Sequence, residues 1–334
     1  DYFMDFLKNI FSYLRAKDWL IYIIPPILSF FYIGLLENNL ETVSINQVLY
    51  KFWLLFLLSI CVASFGFFIN EWTDIKDDAL ALKQNQLAQL SITFKCGILS
   101  VLVISIACLL YLFLKIQPLI FVLCSIQLLL FIFYSVKPFR LKRNKFAALI
   151  LDALYSGTLF YVIAYMLGTS QALRWNVLVP MVCWSFTKGI RNILYHLIQD
   201  KKYDAVLDFK TVATSIHTSN LKQAILKIIL PFEVICYVLF LMQLNFGIIF
   251  LVSFVLYLLY IFNREKYIIP FLWKRKTKID RNQLTEINLF YERYLSIIVL
   301  SVLMYHDMKY IVLGLFSILL FGFIFQVNSL NSKA

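Results

Sequence analysis

The sequence predicts an all-α polytopic membrane protein of about nine or ten transmembrane helices, and three observations carry that expectation. Hydrophobic residues fill 61% of the chain against 15% charged, with a mean hydropathy of +0.79, far above the averages of soluble domains. Many apolar stretches reach the roughly 18–20 residues that a bilayer crossing needs. Gly and Pro are sparse and no low-complexity tract separates the spans, so residues 1–334 read as one transmembrane domain without a soluble module.

The apolar spans lie near 19–36, 50–69, 96–115, 117–134, 147–167, 177–195, 225–241, 244–262, 287–305 and 309–327. The residues before the first lack the basic start and small-residue cleavage site of a signal peptide, so this span is expected to act as the targeting element itself. The second runs directly into Asn70-Glu71-Trp72-Thr73-Asp74-Ile75-Lys76-Asp77-Asp78. The fourth ends in Tyr134-Ser135-Val136-Lys137-Pro138-Phe139-Arg140-Leu141-Lys142-Arg143, where proline stops the helix in a basic loop. Within the fifth lies an isolated acid, Asp152, which must face a cavity or find a buried partner. The sixth continues through His196 into Asp200-Lys201-Lys202-Tyr203-Asp204-Ala205-Val206-Leu207-Asp208. Segment 263–286 is dense in Lys and Arg and reads as a solvated connector. The ninth span opens with Asn288, Tyr291 and Glu292 at about one-turn spacing, polar groups that either line a cavity or tie helices together. Cys61, Cys96, Cys108, Cys124, Cys183 and Cys236 fall in or at the ends of spans without metal-ligand spacing and read as small core residues.

Basic residues set the expected orientation. With a cytoplasmic amino terminus, one face collects Lys8, Arg15, Lys17, Lys76, Lys83, Lys95 and the Lys137–Lys145 cluster, then Lys188, Arg191, Lys201, Lys202, Lys210, Lys222 and Lys227, and the basic residues of 263–286. The opposite face keeps Lys51, Lys115, Arg174 and Lys309. Both acidic runs therefore belong on the cytoplasmic side. The net charge of +12 suits anionic lipid head groups and an anionic substrate and needs no nucleic acid to explain it.

The two acidic runs carry the chemistry. Each follows an apolar span and places acidic or amide side chains four residues apart, on one helix face about one turn up. Asn70, Asp74 and Asp78 form one ladder of oxygen donors and Asp200, Asp204 and Asp208 a second. One such pair alone is an ordinary solvated helix end; two matched ladders at one membrane surface fit Mg2+ ions and, through them, a diphosphate. Four further spans separate Asp74 from Asp200, which suggests two related halves, about 18–167 and 177–327, each contributing a ladder. Arg140 and Lys142 face the same compartment as the carboxylates. His196, four residues before Asp200, can orient that carboxylate or take a proton from an acceptor.

The first ladder resembles the Asn-x-x-x-Asp-x-x-x-Asp motif of the UbiA-type intramembrane prenyltransferase superfamily, and Asp200-x-x-x-Asp204 resembles its second aspartate-rich motif. Lys210-Thr211 and Tyr134-Ser135-x-x-Pro138-x-Arg140-x-Lys142 are similar to further family stretches in order and spacing. The resemblance implies helices around a central cavity under a cytoplasmic cap of motif loops. It also implies an isoprenyl diphosphate bound through Mg2+, ionised to an allylic cation and passed to an acceptor. On that basis Asn70, Asp74, Asp78, Asp200, Asp204 and Asp208 would hold the metals and Lys83, Arg140, Lys142 and Lys210 the diphosphate. Tyr134, His196 and Asp152 would serve the chemistry, Tyr134 by bonding the diphosphate or steadying the cation. Three positions depart from the pattern. Asp78 is followed by Ala79-Leu80-Ala81-Leu82-Lys83 where an Arg-Pro pair is common, Asp208 stands where glycine is common, and Lys137 where proline is common.

The leading functional expectation is Mg2+-dependent prenyl transfer to a lipophilic, aromatic acceptor in the membrane. A terpene cyclase on the same scaffold and transfer of a phosphosugar to polyprenyl phosphate share diphosphate-handling ladders and stay open. A need for a second substrate separates the first two. Transport is disfavoured because transporters place ionisable groups near the midplane, whereas these ladders fall at one surface.

Overall fold

The computed structural model describes residues 10–38, 43–169, 174–207, 209, 211–272 and 283–329. Asp208, Lys210, Lys8 and residues 273–282 of the basic connector lie outside the described residues. Among the described residues the chain is helical, with no strand. The helices are α1 (Ala16–Leu36), α2 (Ile45–Leu80), α3 (Ile92–Ile116), α4 (Pro118–Ser135), α5 (Lys145–Gly168), α6 (Trp175–Val206), α7 (Thr218–Met242), α8 (Gly247–Leu272), α9 (Gln283–Leu289 continuing through Phe290–Tyr294 into Leu295–His306) and α10 (Ile311–Ser329). Seven of them, α1–α5, α7 and α9, are long and apolar enough to cross a membrane. The other expected crossings fall on α8 and α10, whose qualifying apolar stretches are shorter, and on α6, which carries several charged groups.

Burial orders the bundle. α1 is buried along almost its whole length and packs against α5, α9, α2 and α10, so it forms the central post. α3 and α4 are peripheral and present Val101, Ile104, Tyr111, Val122 and Ile126 outward, an apolar band suited to lipid. Cys96 and Cys108 also face outward rather than into the core, contrary to the sequence expectation, while Cys124 and Cys236 are buried. α6 runs against α5 and α7.

Close helix crossings depend on glycine. A Cβ on Gly168 would stand 2.2 Å from the Phe31 carbonyl oxygen, and one on Gly34 would stand 2.4 Å from that of Tyr165. Asn38 Nδ2 closes the same crossing by donating to the Gly168 carbonyl at 2.8 Å. Gly168→Val should therefore push α1 from α5 and destabilise the protein by about 1–3 kcal/mol, read as a lower melting temperature in detergent. Gly97→Ala, where an added Cβ meets nothing within 4 Å, should leave the melting temperature unchanged or raise it.

The bundle end away from the ladders is held by polar contacts. Arg174, at the start of α6, pairs with Glu37 at the end of α1 and donates to the Gln243 carbonyl at 3.1 Å. Glu37 also accepts the Asn245 backbone N–H at 2.9 Å. Arg174, counted from sequence as one of few cations on that face, thus joins α1, α6 and the α7–α8 turn.

Three one-turn π-helical stretches interrupt α5 (Leu154–Thr158), α7 (Ile225–Ile229) and α9 (Phe290–Tyr294). Each inserts an extra residue, so the side chains that follow turn to a new face. The stretches in α5 and α9 carry Tyr155 and Glu292, both of which enter polar contacts described below.

Candidate active site

α2 continues without a break from the apolar span into the first ladder, ending at Leu80. α6 does the same through Asp200 and Asp204, ending at Val206. Helical continuity sets the four-residue spacing on one face. Asn70, Asp74 and Asp78 from α2 and Asp200 from α6 line one cavity of about 560 Å3, with Lys83, Arg15 and Lys17 on its wall. Of the second ladder, Asp200 shares this cavity with the first, and Lys83 Nζ bridges to Asp200 Oδ1 at 3.5 Å.

The basic loop after α4 closes on the first ladder. Arg140 Nη2 donates to Asp74 Oδ1 at 2.9 Å, Asp77 Oδ2 at 2.6 Å and the Thr73 carbonyl at 3.1 Å. Lys142 pairs with Asp74 and donates to Asn70 Oδ1 at 3.0 Å, which also accepts Ser135 Oγ at 3.2 Å. Arg143 Nη2 reaches Asp77 at 3.0 Å and lies over the Phe209 ring at 4.7 Å. Arg140 takes a left-handed backbone with φ of 40°, a conformation that costs a non-glycine residue about 1–3 kcal/mol. Its contacts with α2 offset that cost. Burial pulls the Lys142 ammonium below the usual lysine range, and the neighbouring Asp74 carboxylate opposes this. Arg140 Nε is buried without a hydrogen-bond partner, so the corner keeps an unused donor for an anion.

The remaining candidates are placed less directly. Asp204 is half-buried and accepts Thr211 Oγ1 at 3.3 Å. His196 makes no hydrogen bond to Asp200 among the described residues; its ring stands 6.5 Å from that of Tyr195. Tyr134 packs edge-on to Tyr155 at 5.2 Å, and Tyr155 Oη donates to Asp152 Oδ1 at 2.8 Å. Asp208 and Lys210 lie outside the described residues.

Several site residues were not singled out from sequence. Arg15, left-handed at φ 51°, donates to Glu71 Oε2 at 3.0 Å and Asp18 Oδ2 at 2.6 Å. Asn85 Nδ2 ties Asp78 Oδ2 at 2.8 Å to the Glu71 carbonyl at 2.9 Å, and Ser12 Oγ reaches Gln86 Oε1 at 2.9 Å. The segment before α1 is thereby stitched to the loop after α2 and forms one wall of the cavity. Its signal was the pair Arg15 and Lys17 at the mouth of the first span, on the face expected to carry the ladders.

A second polar cluster lies inside the bundle. Arg191 donates to both Glu233 carboxylate oxygens at 2.6 and 3.0 Å and to Asn288 Oδ1 at 2.5 Å. Asn288 Nδ2 donates to Asn192 Oδ1 at 3.0 Å, Lys188 pairs with Glu292 at 3.4 Å, and Lys188 Nζ donates to Tyr161 Oη at 3.1 Å. Lys188, Arg191, Glu233 and Glu292 are all buried. Lys188 and Arg191, counted from sequence among the cytoplasmic surface cations, are instead internal ion-pair partners. Asn288 and Glu292 take the helix-tying role of the two left open by sequence.

The donor set fits a hard divalent cation, since Asn70, Asp74, Asp78 and Asp200 all offer oxygen to the cavity. Among the described residues no group of three or more His, Cys, Asp or Glu side chains stands close enough to hold an ion without further ligands.

A multi-helix bundle with seven helices long and apolar enough to cross a membrane, and with Asp200 of α6 sharing a cavity with the ladder of α2, defines a polytopic α-helical membrane protein. The sequence profile of the UbiA prenyltransferase family matches residues 27–278, and the chain belongs to that family. The fold is similar to that of a UbiA homologue from Archaeoglobus fulgidus bound to GPP and Mg2+, with a TM-score of 0.63 at 14% identity, covering 88% of this chain and 99% of that one. The same homologue bound to DMAPP and Mg2+ gives a TM-score of 0.56 at 16% identity, with 88% and 99% covered. A structure described as digeranylgeranylglyceryl phosphate synthase gives 0.51 at 17% identity, covering 92% of this chain and 97% of that one. Comparison with curated proteins found no match.

Proposed function

We propose that the chain transfers an isoprenyl group from a prenyl diphosphate, bound with Mg2+ between the two ladders, to a lipophilic, aromatic acceptor in the membrane. The observation that carries this reading is the shared cavity. Asn70, Asp74 and Asp78 from α2 and Asp200 from α6 open into one space walled by Lys83, Arg15 and Lys17, a pairing of oxygen donors and cations that an anion and its counter-ions would complete. Family membership and the GPP and DMAPP ligands of the A. fulgidus homologue support it.

The roles follow from position. Asn70, Asp74, Asp78, Asp200 and Asp204 would hold Mg2+, with Asp208 the next rung of the second ladder; bound there, Mg2+ supplies Lewis acidity to the diphosphate oxygens. Lys83, between the ladders, and Lys142, Arg140 and Lys210 would bind diphosphate oxygens by charge-assisted hydrogen bonds. Arg140 and Lys142 also fix Asp74 from behind, so the first ladder is held in place before substrate arrives. The distribution of Lys and Arg supports a cytoplasmic position for the site.

The test is diphosphate release by purified protein supplied with Mg2+ and geranyl, farnesyl or geranylgeranyl diphosphate, with and without a quinone precursor or phenol. Release should require a divalent cation, stop with a chelator and return when Mg2+ is restored. Release that ignores the chelator would sink the metal assignment, and a cyclic hydrocarbon formed without acceptor would make the protein a cyclase.

A further inference from the structure

The helices that carry the ladders pack chiefly on other neighbours, α2 on α3 and α4 and α6 on α5 and α7. The placing of one ladder against the other therefore depends on side chains that reach between the motif segments. Lys83, from the loop after α2, makes one such crossing: it lies over the Tyr203 ring at 4.3 Å and meets Asp200 at 3.5 Å, and both Lys83 and Asp200 line the cavity. Arg143, from the loop after α4, makes another, and Asp77, Arg143 and Phe209, which form it, stand outside the cavity lining. Asp77 is one residue out of step with Asn70, Asp74 and Asp78, so it lies beside the ladder face rather than on it. Its carboxylate, 13% exposed, accepts Arg140 Nη2 at 2.6 Å on Oδ2 and Arg143 Nη2 at 3.2 and 3.0 Å on Oδ1 and Oδ2. The Arg143 guanidinium also stands over the Phe209 ring at 4.7 Å. Phe209 is wound onto the end of the second ladder: its N–H donates to the Asp204 carbonyl at 2.9 Å, and its own carbonyl accepts Thr214 Oγ1 at 2.8 Å. Thr211 Oγ1, in the same turn, donates to the Asp204 carboxylate at 3.3 Å. One guanidinium thus joins α2 beside Asp78 to the turn that holds Asp204.

We infer that Arg143 is a positioning residue that places Asp204 against the first ladder, clamping Asp77 on one side and Phe209 on the other without itself touching metal or diphosphate. The inference rests on the reading that the ladders bind Mg2+ and diphosphate. Arg143 is 45% exposed, and exposed ion pairs and cation–π contacts contribute little to stability. Losing contacts of that strength shifts a binding equilibrium by about three- to tenfold. In a chain of this length the same loss moves the melting temperature by no more than about 3 °C.

The experiment titrates inorganic diphosphate calorimetrically into purified protein at a fixed excess of Mg2+. Arg143→Gln and Phe209→Leu should each weaken binding about three- to tenfold, and the double variant should bind no more weakly than either, because both changes open the same clamp. Phe209→Trp, whose indole holds a cation better than a phenyl ring, should bind at least as tightly as wild type. Arg143→Lys keeps the charge but loses the flat guanidinium and should fall between wild type and Arg143→Gln. Lys137→Gln removes an exposed cation of the same loop and should bind as wild type does. Wild-type affinity in Arg143→Gln or Phe209→Leu, losses that add in the double variant, or an equal loss in Lys137→Gln each overturns the inference. If Arg143→Gln does not fold, the Phe209 variants decide: weakened binding in Leu with binding kept in Trp supports the clamp, and equal affinity in the two overturns it. A wild type that takes up no diphosphate in Mg2+ is a separate result, which overturns the metal and diphosphate reading and the inference with it.

Discussion

Asp200→Asn should abolish prenyl transfer, with a loss of about 10²–10³-fold or more, while leaving the melting temperature of the purified protein unchanged. The two halves of that expectation come from different facts. Asp200 lines the cavity between the ladders, so the substitution removes an anionic oxygen where the metal-bound diphosphate would sit. Its side chain is about half exposed and its partner in the fold is Lys83 at 3.5 Å, a contact too long and too wet to contribute much stability. Asp74→Asn makes the informative comparison. Asp74 accepts from both Arg140 and Lys142, whose side chains are 8% and 9% exposed, so its loss leaves buried cations short of an anion. Activity should fall as far as in Asp200→Asn, and the melting temperature should fall as well. Steady-state release of diphosphate and a thermal melt on the same preparations decide it. Near-wild-type turnover in Asp200→Asn would remove the second ladder from the site, and loss of stability there would show a structural role in its place.

The ladders were legible because their signal is local. Four-residue spacing on a helix becomes one face with no tertiary information, and α2 and α6 needed only to stay helical through Asp78 and Asp204 for the pattern to hold. Arg140 and Lys142 were legible for the same reason, lying just after Pro138 in one short basic loop. What escaped was depth. Lys188 and Arg191 read as surface cations because charge is visible in a sequence and burial is not. Their partners Glu292 and Glu233 lie on α9 and α7, far along the chain, and a π-helical stretch in α9 turns Glu292 to its place. A signal for Glu233 did exist. It is an isolated acid in the run 230–242, and the reasoning that marked Asp152 as needing a partner applies equally to it. Tyr155 gave no such signal, since one tyrosine among many aromatic residues in a membrane helix marks nothing until its hydroxyl is seen on Asp152.

The buried Arg191–Glu233 pair should govern whether the second ladder is held in position at all. α6 carries Arg191 nine residues before Asp200, and the pair fixes that helix against α7 while Asn288 fixes it against α9. Glu233→Leu takes the paired carboxylate away from a guanidinium that is almost fully buried, and breaking a buried pair from one side costs about 3–5 kcal/mol. Detergent unfolding of this variant should occur at a markedly lower temperature, and Trp184, enclosed by Phe30, Tyr161, Tyr237 and Tyr291, should report the loosening as a changed fluorescence spectrum. Arg191→Met combined with Glu233→Leu removes both charges and should recover most of the loss, because apolar side chains of similar volume replace a pair whose desolvation already offsets much of its attraction. Asn288 still has Asn192 as a partner in that double variant. If the double variant is as unstable as Glu233→Leu, the cost lies in packing or in the Asn288 contact rather than in an unpaired charge. If it is stable but its activity stays low, the charged pair acts on the register of α6, and the distance between the two ladders is what it controls.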